Sequence, residues 1–296
     1  MRIELGDIDK KIRRNRYSIN GELSRVNTVN IENYPLRNIG DTLGPVIASW
    51  MLEREGIDPY ALVRRTKHLM TVGSVIGMGL FDSTVWGSGI LNIKVKEALK
   101  KKRMFFGRKL DIRAVRGPLT REAVMYAGYS CPQIYGDPAI LMPLIYNPES
   151  REKKYKISVI LHYRTSINNA EETTSGRYKI TIPKELINER GIHFIDPKTD
   201  DYKSFVDEIV ASEYVIASSL HGIILAESYQ IPTTFLNWGM DDQPTKFRDW
   251  YLSTGRELSS CHSVEEALNI EIPALPSLSK MQRELINSFP YDLWGQ

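Results

Sequence analysis

Apolar residues come in short clusters divided by polar, glycine-marked joints, and the period of the clusters changes along the chain. Val26, Val29 and Ile31 alternate with polar positions and predict a strand over 25–31. Val46, Ile47, Trp50, Met51 and Leu52 recur at helical spacing and stop before Gly56, predicting a helix over 46–55 entered through a Gly40-Asp41 turn. Apolar runs over 68–76, 84–89 and 110–115 read as further strands. Pro118 suits the first turn of a helix ending at Ala127, with Gly128 as its stop. Residues 1–24 are polar, and with Lys10, Lys11, Arg13, Arg14 and Arg16 they read as an arm.

Residues 147–156 are polar, contain Pro148 and mark a boundary. A second alternating series follows: strands over 156–161, 191–195, 214–217 and 233–236, with helices over 204–211 and 221–229. Strands alternating with helices form parallel sheets. The expected fold class is therefore α/β, with two Rossmann-like domains facing across a cleft. The first would span 1–150, and the second 151–296 with C-terminal helices. In such folds ligands bind outside the carboxyl ends of the strands.

Composition narrows the classes. Of 296 residues, 42% are hydrophobic and 25% charged, enough for a core and too apolar for a disordered chain. Lys and Arg total 39 against 36 Asp and Glu, so a dedicated nucleic-acid binder is not expected. The basic character is local: residues 94–109 hold 8 basic residues and 1 acidic one, with Leu99, Met104, Phe105 and Phe106 among them. That stretch reads either as a solvated helix or as a peripheral contact with an anionic membrane. Two cysteines, Cys131 and Cys261, exclude a disulfide framework and a cysteine-built metal site. With no secretory h-region and no 18-residue apolar run, the expected location is cytoplasmic, at most at the cytoplasmic face of a membrane.

Candidate chemistry sits where strands hand over to helices. An apolar strand ends at Ser218 and Ser219, and His221 and Gly222 then open an apolar helix. This places His221, a proton donor suited to neutral pH, beside helix-start N–H groups that attract anions. A serine-capped helix with a packed histidine is the plain alternative. Arg116 follows a strand in the same way, and its planar fork matches a carboxylate or phosphate. Arg121 stands a turn later, as a second cation or a solvated one. Asn38, Gly40 and Asp41 form a first loop without a dinucleotide or Walker fingerprint, and Asp41 doubles as a helix cap. Arg164 ends the first strand of the second half, and Lys246 follows the last one. Asp137 lies in a Gly-Asp-Pro turn. No spacing of His, Asp or Glu makes a metal site, and no nucleophile elbow is present.

In order, Asn38-Ile-Gly-Asp41, Val72-Gly-Ser74, Val85-Trp-Gly-Ser-Gly89, Val115-Arg-Gly-Pro118, Tyr135-Gly-Asp-Pro-Ala139, Ser218-Ser-Leu-His-Gly222 and Ile231-Pro232 make a series that resembles the polysaccharide pyruvyl transferases over about residues 25–255. The resemblance implies a GT-B-like fold and transfer of the pyruvyl group of phosphoenolpyruvate onto two hydroxyls of one sugar, giving a ketal in exopolysaccharide or capsule assembly. It implies no cofactor beyond that donor substrate, and a glycan acceptor, free or lipid-linked. It places the family's general acid on His221, its donor-holding arginine on Arg116 and a later cation on Lys246. Some relatives carry an arginine two residues before the histidine. Ser219 stands there in this chain, so anion binding would lean on other cations such as Arg164. Two rivals remain: a nucleotide-sugar glycosyltransferase with His221 and Glu227 on the donor, and a non-catalytic glycan-binding protein.

Overall fold

The computed structural model describes residues 17–18, 29–32, 38–61, 63, 65–163, 173–175, 178–180, 182–237 and 244–295. The first sheet is built from β1 (Tyr17–Ser18), β2 (Val29–Glu32), β3 (Lys67–Met70), β4 (Ser83–Trp86) and β5 (Leu110–Ala114). Its strands lie in chain order, β1 antiparallel to β2 and the rest parallel. Helix α1 (Ile39–Arg54) follows β2, α2 (Val95–Phe106) follows β4 and α3 (Pro118–Tyr126) follows β5. A 3-10 turn at Pro138–Leu141 and α4 (Met142–Ile145) lead to the second half.

That half opens with β6 (Tyr155–Ile160) and a hairpin of β7 (Thr173–Ser175) and β8 (Tyr178–Ile180). Helix α5 (Lys184–Arg190), β9 (Ile192–Phe194), α6 (Tyr202–Val210), β10 (Ser212–Ala217), α7 (Leu220–Ser228) and β11 (Thr233–Leu236) alternate after it. Helix α8 (Thr245–Ser253), β12 (Ser260–Cys261), α9 (Val264–Ala267) and α10 (Ser279–Asn287) follow. The second sheet is fully parallel with order β9-β6-β10-β11-β12. The chain steps outward from β6 to β9, then reverses to β10, which makes a topological switch between β6 and β10.

Period-two alternation sorts the strand residues into layers. In β10, Tyr214 and Ile216 join an outer cluster with Cys261 and Val264, while Val215 and Ala217 face inward. In the first sheet Val85 and Ile112 face outward with Leu99 of α2, while Ile31, Leu69 and Trp86 face inward. The inward residues of both sheets, with α1, α6 and α7 between them, form one continuous apolar cluster. Helix α7 is buried on every side except at His221, which explains why its sequence is apolar all round.

Two features differ from the sequence reading. Helix α1 begins at Ile39, so the Gly40-Asp41 pair is its first turn and Pro45 lies inside it. An interior proline costs about 3 kcal/mol. The apolar row Ile39, Leu43, Ile47 and Met51 runs through the proline and is fully buried, and that burial offsets the cost. The run over 68–76 pairs as a strand only to Met70. Residues 279–295 also pack against the first sheet. Trp86 Nε1 donates to Leu285 O at 2.9 Å, Lys67 Nζ to Leu293 O at 2.8 Å, and Arg113 pairs with Asp292 at 2.9 Å. No helix among the described residues is long and apolar enough to cross a membrane.

Candidate functional site

The segment Ser218–Gly222 stands at the switch point. Ser218 N donates to Ile160 O, the last residue of β6, at 2.9 Å. Ser219 is the N-cap of α7, its Oγ accepting from Gly222 N at 3.4 Å. The β-region backbone of Ser219 turns the chain so that His221 emerges at the carboxyl edge of the sheet. Its imidazole packs on the first turn of α1: a Cβ added at Gly40 would overlap the ring. Glycine is needed at position 40 for this close approach, with no demand on its backbone angles. Nearby, Asn38 Nδ2 donates to Asp41 Oδ2 at 3.4 Å.

Opposite the imidazole, Asp137 Oδ2 lies 3.7 Å from His221 Nε2. Asp137 is fully buried, and its Oδ1 accepts from Ala139 N at 3.1 Å, capping the 3-10 turn. The oxygen facing the histidine and the nitrogen facing the aspartate are both buried and without hydrogen-bond partners, and so is Ser218 Oγ. Buried polar atoms are paired in the great majority of cases, so the facing Asp137 and His221 orphans, with Ser218 three residues before the histidine, mark a candidate place for a ligand or water.

Arg116 occupies the equivalent junction after β5 and is fully buried. Nη1 donates to Ser74 Oγ at 2.8 Å and Nη2 to Ile90 O at 2.6 Å. Nε faces Asp249 Oδ2 at 3.3 Å as an ion pair without a hydrogen bond. A Cβ at Gly89 would overlap the guanidinium, so the turn after β4 lies directly against it. The same turn packs through Gly87 on Pro138, next to Asp137. A line of contacts thus joins Arg116 to the histidine pair.

Asp249, on α8, is fully buried and reaches across to α3. Oδ1 accepts from Leu119 N at 2.9 Å and Thr120 N at 3.1 Å, and Oδ2 accepts from Thr120 Oγ1 at 2.6 Å. It caps a helix that begins 131 positions earlier in the chain. A Cβ on Gly117 would overlap the Asp249 main chain, which explains a glycine at an extended backbone angle that any residue adopts. The sequence pattern gave Asp249 no role; a glycine directly before the helix-opening Pro118 was the one hint of a close neighbour.

The other candidates are scattered. Arg121 turns to its own loop, Nε donating to Cys131 O at 3.2 Å. Lys246 lies in the first turn of α8 with Nζ 5.0 Å over the Phe247 ring. Arg164 lies outside the described residues. Glu227 is buried and bound by Arg256 at 2.7 and 2.9 Å and by Trp250 Nε1 at 2.7 Å, which engages both of its oxygens within the fold. Burial pushes the Cys131 thiol up to about 11 and the Cys261 thiol to about 12, so neither is a nucleophile at neutral pH. Among the described residues no cluster of His, Cys, Asp or Glu could hold a metal ion. A groove of about 400 Å³ between β5 and α10, lined by Ile112, Ile134, Asn287 and Phe289, contains none of the candidates.

A family profile described as polysaccharide pyruvyl transferase matches residues 82–239, more than half of the chain. The chain belongs to the polysaccharide pyruvyl transferase family. Within this pyruvyl transferase family match lie Arg116, Asp137 and His221; Asn38, Gly40, Asp41, Lys246 and Asp249 fall outside it. The chain is 26% identical over 196 residues to the succinoglycan biosynthesis protein ExoV of Rhizobium meliloti (strain 1021), covering 66% of this chain and 50% of that protein. It is 27% identical over 192 residues to the uncharacterized protein L143 of Acanthamoeba polyphaga mimivirus, covering 63% and 59%. The matches thus take in less than two thirds of either relative's length.

Proposed function

We propose that this chain moves the pyruvyl group of phosphoenolpyruvate onto a sugar of an exopolysaccharide, or of its lipid-linked precursor, and forms a pyruvate ketal. The observation that carries the reading is the His221–Asp137 pair: two buried, unpartnered polar atoms facing each other at a switch point, in a chain of this family. The two halves would act as Rossmann-like, GT-B-like domains, with the donor held where their strands end.

The His221 imidazolium gives a proton to the methylene carbon of phosphoenolpyruvate, and the adjacent carbon becomes electrophilic. One sugar hydroxyl attacks that carbon, and the bond from carbon to the phosphate oxygen breaks. A second hydroxyl of the same sugar attacks and closes the ketal. Of the two hydroxyl protons, one restores His221 and the other leaves with phosphate. Asp137, 3.7 Å from Nε2, pairs with the protonated ring and returns a hydroxyl proton to it.

Phosphoenolpyruvate brings a carboxylate and a phosphate, which need fixed donors and cations. The N-terminus of α7 with Ser218 and Ser219, and the first turn of α1 with Asn38, Gly40 and Asp41, supply the polar lining. Arg116, paired with Asp249, holds the turn after β4 in shape, while Arg164 and Lys246 are the cations assigned to the outer anionic groups. No metal or further cofactor is required.

The test is incubation with phosphoenolpyruvate and a panel of free and lipid-linked glycans. Phosphate release coupled to a mass gain of one pyruvate ketal on the glycan is expected. Transfer from a nucleotide sugar, or glycan binding without turnover, would replace the assignment.

A further inference from the structure

Helix α2 lies on the outer face of the first sheet, anchored by Leu99, and ends at Gly107 in the left-handed conformation. Its final turn projects three consecutive large apolar side chains into solvent: Met104 is 64% exposed, Phe105 76% and Phe106 64%. Among the described residues the other exposed large apolar side chains occur at most in pairs, such as Met125 and Tyr126, and scattered ones need no explanation. Three in a row at a helix tip do.

The surrounding charge is one-sided, and the structure separates working cations from structural ones. Lys102 turns inward, Nζ donating to Gly77 O at 2.6 Å and Gly79 O at 2.7 Å. Arg108 is buried, bonded to Phe81 O and Ile76 O. The remaining basic residues of 94–109 stay at the surface, with Lys94, Lys101 and Lys109 exposed and Arg103 exposed but lying over the Tyr129 ring. Lys96 and Lys100 each place Nζ 5.0 Å over the ring of Tyr126, which is itself 46% exposed. The single acidic residue, Glu97, is tied up by a hydrogen bond with Tyr126.

We propose that the tip of α2 is a docking surface for an anionic lipid bilayer, with Phe105, Phe106 and Met104 entering the headgroup region and the exposed lysines resting on the lipid charges. The patch is three consecutive exposed side chains at the end of a helix, which suits a fluid interface. Aromatic residues flanked by lysine are the side chains that settle at such a boundary. A second copy of the chain is a poor occupant, because a two-fold contact would bring the same basic residues face to face. This inference does not depend on the chemistry proposed above.

Sedimentation of the full chain with vesicles tests it, using pure phosphatidylcholine and an equal mixture of phosphatidylcholine and phosphatidylglycerol. The expected result is binding to the anionic vesicles alone, weakening as salt rises. K101Q/K109Q alters two exposed side chains without other bonds and should bind on the order of thirtyfold more weakly, from about fivefold per charge removed. F105S/F106S should keep weak, salt-sensitive binding and lose the remainder. Circular dichroism of each variant checks that the fold is unchanged. The proposal fails if the parent does not prefer anionic vesicles at low salt, or if both variants bind like the parent. It also fails if F105S/F106S binds vesicles unchanged while the parent binds polyglutamate equally well, since the partner is then an acidic polymer.

Discussion

Arg116 and His221 stand at matching places, each just past the carboxyl end of a parallel strand and at the mouth of the helix that follows, yet their surroundings are opposite. Arg116 is closed in by Ser74, Ile90, Gly89 and Asp249, and both of its Nη atoms are engaged. His221 keeps 12% of its side chain exposed, and its Nε2 has no partner. The first sheet has its strands in chain order and the second reverses at β6 and β10. A switch of this kind is where open α/β sheets commonly receive ligands, and the sequential sheet has none. On the proposed chemistry, one junction serves as a strut and the other as a working edge.

Substitution separates the two. The largest effect belongs to His221→Ala, which should slow phosphate release from phosphoenolpyruvate by about 10³-fold, the scale of a lost general acid. The thermal unfolding midpoint should fall only modestly, by the packing lost against α1, since Nε2 has no hydrogen bond to lose. Next, Arg116→Met leaves Asp249 without its cation and two acceptors without donors. It should cost about 3–5 kcal/mol of stability, read by urea denaturation. An unchanged unfolding midpoint with weaker phosphoenolpyruvate binding would move Arg116 from strut to ligand.

Gly40→Ala forces the imidazole or the start of α1 to shift. About a hundredfold loss of turnover is expected, with about 1–3 kcal/mol of destabilisation. Asp137→Asn keeps the cap on Ala139 and removes the charge facing Nε2. It should reduce kcat by about tenfold and leave KM for phosphoenolpyruvate steady. An equal fall in an unrelated stability readout would reduce Asp137 to a cap.

The smallest effect concerns the thiols. Cys131 belongs to the outer cluster of the first sheet and Cys261 to that of the second. Both stay protonated in the folded chain above the pH at which the unfolded chain ionises. Stability should therefore decline slightly as pH rises from about 9 towards 11. Stability that rises over that range would contradict the burial of both thiols.

Local signals were readable where the chain itself supplies the stop or start. Pro118 and Gly128 bracket α3 almost to the residue. Strand β11 matches its apolar run, Thr233–Leu236. The start of α1 was hidden because Gly44 and Pro45 look like a break, and only burial of the row on both sides of the proline shows otherwise. His221 stood out as a polar residue opening an otherwise apolar helix. The enclosure of Arg116 did not, because Ser74, Ile90 and Asp249 come from three distant segments and leave no spacing to read. The return of α10 to the first sheet is likewise a product of packing.

The cap that Asp249 places on α3 also bears on how the chain is made. The first 150 residues leave the ribosome without that cap. They also lack the Leu285 carbonyl that accepts from Trp86, the main-chain oxygens that hold Lys67, and the Pro59 contact with Trp294 at 3.3 Å. Domains usually fold as they emerge, amino-terminal first. Here the first sheet lacks partners for its helix mouth and for the inner side of Trp86 until residues 249–294 have been synthesised. Poor solubility of fragments cut near residue 150 is the expected consequence of these late contacts.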